Sequence, residues 1–103
     1  MSVLEGVLLE EKNRLESIVL EYKKMLDKLP NGAVYIRKMN NSSFVYRRRR
    51  QGGKIISEYL GSINEARAKE AIENYNERKR IKSNLRIAKS ELIKIVKVVK
   101  TYE

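Results

Sequence analysis

The sequence predicts an α+β fold in which a long antiparallel helical hairpin carries a three-stranded antiparallel β-meander inserted between its two helices. Apolar residues recur with helical spacing near both ends of the chain, whereas the period changes to two between Ala33 and Leu60. Turn residues divide this middle segment into three strands. Since 103 residues suit one domain, we expect a single domain over 1–103, with helices at about 3–29 and 63–101 and the meander at about 33–60.

The first predicted helix is amphipathic. With Glu11 occupying one position, its apolar residues follow alternating steps of three and four, which form one stripe on a helix: Leu4, Leu8, Leu15, Ile18, Tyr22, Met25 and Leu29. Pro30 disfavours helical geometry in the residue before it, and Asn31 and Gly32 tolerate positive φ, so the helix should end there. Its predicted length of roughly 40 Å leaves a long apolar stripe that needs a partner.

The meander is predicted from three β-type runs, Ala33–Met39, Phe44–Arg50 and Lys54–Leu60, joined by tight turns. Alternation places one set of residues on one face: Tyr35, Arg37, Met39, Phe44, Tyr46, Arg48, Ile55 and Tyr59. The other face receives Val34, Ile36, Val45, Arg47, Arg49, Ile56, Glu58 and Leu60. We expect a helix to cover this second, more aliphatic face. A slip of one residue at Gly52-Gly53 would exchange the two faces of the third strand.

The second helix is predicted to begin after Gly61, where Ser62 to Glu65 matches a capping box. Its apolar residues change phase along its length, from Ala66, Ala71, Ile72 and Tyr75 to Ile81, Leu85, Ala88, Leu92, Ile95, Val99 and Tyr102. We therefore expect the first turns to cover the sheet and residues 78–102 to pair antiparallel with the first helix. Because two helices form a thin core, we also expect a homo-oligomer, most simply a dimer.

The composition argues against most enzyme classes. The chain has no histidine and no cysteine, which are the residues most used for zinc sites, thiol nucleophiles and proton transfer near neutral pH. We expect no catalytic residues, no metal, no cofactor and no small-molecule substrate. No apolar run approaches the roughly 20 residues needed to span a bilayer, so we expect a cytoplasmic protein without a membrane partner.

The distribution of charge suggests a polyanionic partner. The formal charge is +10, and the positive excess begins after Pro30. Arginine suits phosphate geometry, and aromatic residues on a strand can stack on bases. The predicted nucleic-acid-binding residues combine both types: Tyr35, Arg37, Tyr46, Arg47, Arg48, Arg49, Arg50, Lys54 and Tyr59. The same residues are also common as cross-strand pairs on an ordinary solvated sheet. The basic run from Arg78 to Lys100 is interpreted first as the solvated side of its helix.

Two family resemblances follow from short motifs. Pro30-Asn-Gly-Ala, Phe44-Val-Tyr-Arg and Gly52-Gly-Lys-Ile-Ile-Ser-Glu-Tyr-Leu-Gly61 resemble a family of small bacterial and archaeal proteins that has no assigned activity. The strand-turn-strand segment with Tyr59-Leu-Gly-Ser-Ile-Asn-Glu-Ala-Arg67 is similar to the three-stranded arm-type DNA-binding domains of tyrosine recombinases and to segments of transposases. This second resemblance implies a sheet that contacts DNA and an origin in a mobile element or phage.

The sequence thus predicts a non-catalytic nucleic-acid-binding accessory protein, with DNA as the expected partner. The alternative is a structural or protein-interaction module that forms a helical homo-oligomer. Under that alternative, replacement of the four arginines from Arg47 to Arg50 by glutamine would leave function unchanged.

Overall fold

The computed structural model describes residues 2–102 and has the predicted order of helix, meander and helix. The elements are α1 (Val3–Asp27), β1 (Ala33–Met39), β2 (Ser42–Gln51), β3 (Lys54–Ser62) and α2 (Ala66–Lys100). The predicted α+β fold class is therefore confirmed. Across residues 2–102, neither helix has both the length and the apolar character needed to cross a lipid bilayer.

The chain forms two compact units. The helical unit joins the segment up to Lys28 with the segment from Arg80 onward, and the sheet unit comprises Leu29–Lys79. Because α2 contributes to both, its first turns belong to the sheet unit and its remainder to the helical unit. The change of phase in its apolar residues reflects these two different partners.

The helical unit is an antiparallel pair of α1 with the second part of α2. Its core contains Val19, Leu85 and Ala88, with the partly buried side chains of Ile18, Tyr22, Leu26 and Leu92 packed around them. The predicted pairing of the first helix with the later part of the second is confirmed. Ser2 caps α1, because its hydroxyl accepts a hydrogen bond of 3.1 Å from the amide of Glu5.

The three strands form an antiparallel sheet in the order β1-β2-β3. Tyr35 lies opposite Tyr46, and Tyr46 lies opposite Tyr59, so the three tyrosines share one face as predicted. Gly52 and Gly53 adopt φ values of 57° and 78°, which a tight hairpin turn requires. No slip occurs at this turn, and the predicted assignment of residues to the two faces is confirmed.

The end of β3 differs from the prediction. The strand does not stop at Gly61 but continues to Ser62, and its register with β2 shifts beside Val45 so that Leu60 is an extra residue. Gly61 makes this bulge possible through its φ of 127°. A β-carbon at this position would also collide with the carboxylate of Glu65.

The predicted capping box at Ser62 is consequently wrong. Ser62 is still in the strand, and its main-chain carbonyl accepts the amide of Glu65 at 2.9 Å. The helix begins three residues later than predicted, with the carbonyl of Glu65 accepting the amide of Lys69 at 3.1 Å. The serine is held in the strand because the amide of the next residue, Ile63, donates to the carbonyl of Ser43 at 3.0 Å.

The core of the sheet unit lies between the aliphatic face and the first turns of α2. It contains Val45, Leu60, Ala68 and Ala71, which are all at most 5% exposed. The two alanines allow the helix backbone to approach the strands closely, since a longer side chain would hold it away. The prediction that the helix covers the aliphatic face is confirmed, although Ala68 and not the exposed Ala66 makes the contact.

Candidate nucleic-acid interface

The uncovered face of the sheet carries a row of tyrosine rings that crosses all three strands. The rings of Tyr35 and Tyr46 are stacked with centroids 5.5 Å apart, and those of Tyr46 and Tyr59 are tilted with centroids 5.4 Å apart. Phe44 extends the row, with its ring centroid 6.3 Å from that of Tyr59. Each such pair contributes about 0.5–1.5 kcal/mol to stability beyond its buried area, so contacts within the row help to hold the rings in place.

A guanidinium group lies on this row. The Arg48 side chain is placed with its Cζ atom 4.9 Å from the centroid of the Tyr35 ring, which is within cation–π distance. The register places Arg37 opposite Phe44 on the same side of the sheet. We call the surface formed by Tyr35, Arg37, Phe44, Tyr46, Arg48 and Tyr59 the aromatic-basic face.

The electrostatics of the face are visible in the pKa of Tyr35. Its hydroxyl donates a hydrogen bond of 3.2 Å to the Ser57 hydroxyl. When the phenol is deprotonated, the Ser57 hydroxyl can instead donate to the phenolate oxygen, which lowers the pKa of Tyr35 below the ordinary tyrosine value. The positive charges of Arg48 and Arg37 contribute in the same direction.

Acidic residues are nearly absent from the sheet. The strands carry seven basic residues and one acid, Glu58, which lies on the covered side opposite Arg47. Glu58 accepts a hydrogen bond of 3.0 Å from Arg67 and lies 3.9 Å from the guanidinium of Arg47. The aromatic-basic face therefore has no carboxylate from the sheet to neutralise its arginines.

The four consecutive arginines are divided between the two faces. Arg48 joins the aromatic-basic face and Arg50 follows on the same side of β2, whereas Arg47 and Arg49 lie on the other side. Arg47 is mostly buried, with 18% of its side chain exposed, because it lies against Glu58. Within residues 2–102, no carboxylate forms an ion pair with Arg48, Arg49 or Arg50.

The β2–β3 hairpin extends beyond β1. The last pairs of the hairpin, Arg49 with Ile56, Arg50 with Ile55 and Gln51 with Lys54, have no partner on the β1 side. The basic residues Arg49, Arg50 and Lys54 are exposed there. This tip is a two-stranded ribbon with cations on both of its sides.

Two residues that shape this region, Ser57 and Gly32, were not predicted from the sequence as part of it. Ser57, which shifts the pKa of Tyr35, lies on the aromatic-basic face by the same alternation that placed Tyr59 there, so its position was predictable and its role was not. The second is Gly32, which was interpreted only as the end of a helix. Its φ is 101°, and a β-carbon there would lie 2.7 Å from the carbonyl oxygen of Arg48.

No known protein family, curated protein or solved structure matches this chain. Both family resemblances therefore remain predictions. Among the residues described, no group of three acidic side chains is arranged to hold a metal ion.

Proposed function

We propose that this protein is a non-catalytic nucleic-acid-binding accessory protein that contacts DNA through the aromatic-basic face and the β2–β3 hairpin. The observation that carries the proposal is the uncovered row of Tyr35, Tyr46 and Tyr59 with the Arg48 guanidinium beside it. Such rows combine stacking surfaces for bases with donors for phosphate. A protein of this kind would act in the cytoplasm.

Folding alone does not account for this arrangement of charges. Burial of Val45 and Leu60 on the opposite side already gives the sheet its core, whereas exposed arginines add little stability and repel one another. Phosphates relieve that repulsion, and their release of counterions drives association. The protruding hairpin also has the two-stranded form that enters DNA grooves in β-ribbon proteins.

The test is a fluorescence anisotropy titration of the protein against labelled duplex DNA, single-stranded DNA and RNA at about 50 mM salt. We expect saturable binding, with DNA bound more tightly than RNA. With about six phosphates contacted, the slope of log K against log salt should be near −5 for duplex DNA. The absence of saturable binding to all three polymers would reject the proposal.

A matched pair of variants locates the binding surface. Arg48→Gln removes a charge from the aromatic-basic face, and Arg86→Gln removes the same charge from an exposed position on α2. We expect Arg48→Gln to weaken DNA binding by about tenfold, as for loss of a charged hydrogen bond, and Arg86→Gln to have much less effect. Equal losses of DNA affinity would mean that the basic helix α2 contributes to the interface as much as the aromatic-basic face does.

A second candidate function is a helical interaction module, and exposed aliphatic residues favour it. The helical unit leaves several large apolar side chains more than 40% exposed: Val3, Leu4, Val7, Leu20, Ile87, Ile93 and Val98. A dimer that covers them would show a melting temperature that falls over a roughly hundredfold dilution. A melting temperature independent of concentration, together with a monomer mass in sedimentation, would reject the dimer.

A further inference from the structure

An open cavity of about 470 Å³ lies beside the end of β2, where Arg47 and Arg49 belong to the side opposite the tyrosine row and Arg50 belongs by register to the tyrosine side. Three arginines line it, Arg47, Arg49 and Arg50, together with Gln51 and the turn formed by Pro30, Asn31 and Gly32. All of these residues belong to the sheet unit. Among residues 2–102, no carboxylate lines the cavity, so the charged groups that these residues place around this concave site are all cations.

Gly32 gives the cavity its wall. The turn approaches β2 so closely that a β-carbon on Gly32 would lie 3.1 Å from Cγ of Arg47 and 3.3 Å from Cβ of Arg49. The side chains of these two arginines therefore start on either side of the glycine. Any larger residue would push the turn away from the strand and open the cavity.

The charges of the cavity are unequally neutralised. Arg47 has Glu58 at 3.9 Å, whereas Arg49 and Arg50 have no ion pair with any acid of residues 2–102. Guanidinium groups grouped around one space repel each other unless an anion lies between them. Their planar forks suit the paired oxygens of a phosphate.

We propose that this cavity binds the phosphate of a nucleotide unit. Arg49 and Arg50 are the principal hydrogen-bond donors, and Arg47, held beside Glu58, lines the cavity as a third cation. Its volume falls in the range of about 300–1,000 Å³ typical of small-ligand sites, which exceeds the needs of a bare phosphate and suits a phosphate with its sugar. The phosphate belongs either to a free nucleotide or to a nucleic-acid chain. Only the second source rests on the proposed function.

If the phosphate belongs to a nucleic acid, both sides of β2 contact the same ligand. The aromatic-basic face then holds bases through its rings, while the cavity holds a phosphate of the strand that passes behind the hairpin tip. This arrangement makes the proposed function more specific, because the β2–β3 hairpin would then lie between two segments of the nucleic-acid backbone.

The test follows the arginine Nε–Hε signals of the protein by nuclear magnetic resonance during titration. The probes are a deoxynucleoside monophosphate, the same nucleoside without phosphate, and a short single-stranded oligonucleotide. We expect saturable shifts of the Arg49 and Arg50 signals with at least one phosphorylated probe and none with the bare nucleoside. Absence of such shifts with both phosphorylated probes would overturn the proposal.

Comparison of the two phosphorylated probes identifies the source of the phosphate. Similar affinities for the monophosphate and the oligonucleotide indicate a free-nucleotide site, and binding of the oligonucleotide alone indicates a site for backbone phosphate. If the monophosphate binds but duplex and single-stranded nucleic acids do not, the cavity proposal stands and the proposed function fails. If nucleic acids bind without shifting the Arg49 and Arg50 signals, the proposed function stands and the cavity proposal fails.

Variants provide an independent readout with the probe that binds. Arg49→Gln should weaken its binding by about tenfold, as for loss of one charged hydrogen bond. Arg49→Lys should recover only part of the loss, because it keeps the charge but not the fork. The matched control is Lys69→Gln, which removes one exposed charge from α2 in the same unit. Equal effects of Arg49→Gln and Lys69→Gln would overturn the proposal.

Discussion

The two faces of the meander differ in what holds their side chains in place. On the covered face, Val45 and Leu60 are at most 2% exposed and pack against alanines of α2. On the aromatic-basic face, Tyr59 is 50% exposed and its ring lies beside the rings of Phe44 and Tyr46 of the same sheet. The covered face is therefore committed to folding where Val45 and Leu60 pack and leaves only its arginine end open, whereas the aromatic-basic face is ordered by cross-strand contacts and is accessible along its length.

The largest expected difference concerns stability, and two adjacent residues on opposite faces test it. Leu60→Ala should lower the free energy of unfolding by about 2–5 kcal/mol, because it leaves a cavity in the core. Tyr59→Ala should lower it by only about 1 kcal/mol through loss of aromatic contacts. Urea unfolding followed by circular dichroism measures both. Equal losses would mean that the two faces contribute alike to folding.

When DNA affinity is measured in place of stability, Tyr59→Ala should have the larger effect of the two variants. Tyr59→Ala should weaken binding by about 1–3 kcal/mol, the usual value of one base–aromatic stack. Leu60→Ala should leave affinity nearly unchanged at a temperature where the variant remains folded. Anisotropy titrations under identical salt decide the matter. A larger effect of Leu60→Ala would show that affinity follows stability and not the exposed rings.

A smaller effect is expected at Glu58, the acid that lies on the covered side beside Arg47 and Arg67. Glu58→Gln should change stability by about 1 kcal/mol or less, as is typical of partly exposed ion pairs. DNA affinity should increase by about threefold, because both arginines lose their internal partner. Unchanged DNA affinity would mean that Arg47 and Arg67 do not interact with the bound DNA. The control Glu70→Gln removes an exposed acid of α2.

The smallest expected effect is a shift in one titration on the aromatic-basic face. The Ser57 hydroxyl and the neighbouring arginines lower the pKa of Tyr35, so Tyr35 should deprotonate before a tyrosine of ordinary pKa. Ser57→Ala should raise the pKa of Tyr35 toward the ordinary value. Ultraviolet difference absorption during alkaline titration detects this, and Tyr35→Phe identifies the transition by removing it. An unchanged titration in both variants would exclude this electrostatic account of the face.

The lowered pKa of Tyr35 makes stability depend on pH, and the direction of the shift sets the sign of that dependence. The folded state favours the phenolate of Tyr35, so the contribution to stability is fully present only above the pKa of the unfolded chain. It disappears as the pH falls through the folded pKa. Below the folded pKa the phenol is protonated in both states, and Ser57→Ala should then alter stability only through its hydrogen bond.

Periodicity in the sequence was sufficient for the two helices, the three strands and the composition of both sheet faces. The alternation of Tyr46, Arg47 and Arg48 assigns each to a side, because successive side chains of a strand point in opposite directions. The tight Gly52-Gly53 turn preserves that assignment into β3. The whole aromatic-basic face was therefore predictable, except that Ser57 gave no signal of its contact with Tyr35.

Local motifs were less reliable where long-range contacts compete with them. Ser62 and Glu65 have the spacing of a capping box, yet Ser62 remains in the strand, and the amide of Ile63 bonds to the distant carbonyl of Ser43. The bulge at Leu60 has no local signature apart from the glycine that follows. Likewise, nothing next to Gly32 in the chain indicates that it approaches the arginines of β2.

Local sequence patterns were enough to predict the helices, the strands and the side of the sheet to which the strand residues belong, because these depend on repeating local geometry. Three features emerged only in the folded chain: which alanines of α2 lie in the core, where β3 shifts register and ends, and the approach of the Gly32 turn to Arg47 and Arg49. These features depend on contacts between residues distant in the chain, whose packing selects one outcome among several that local preference allows.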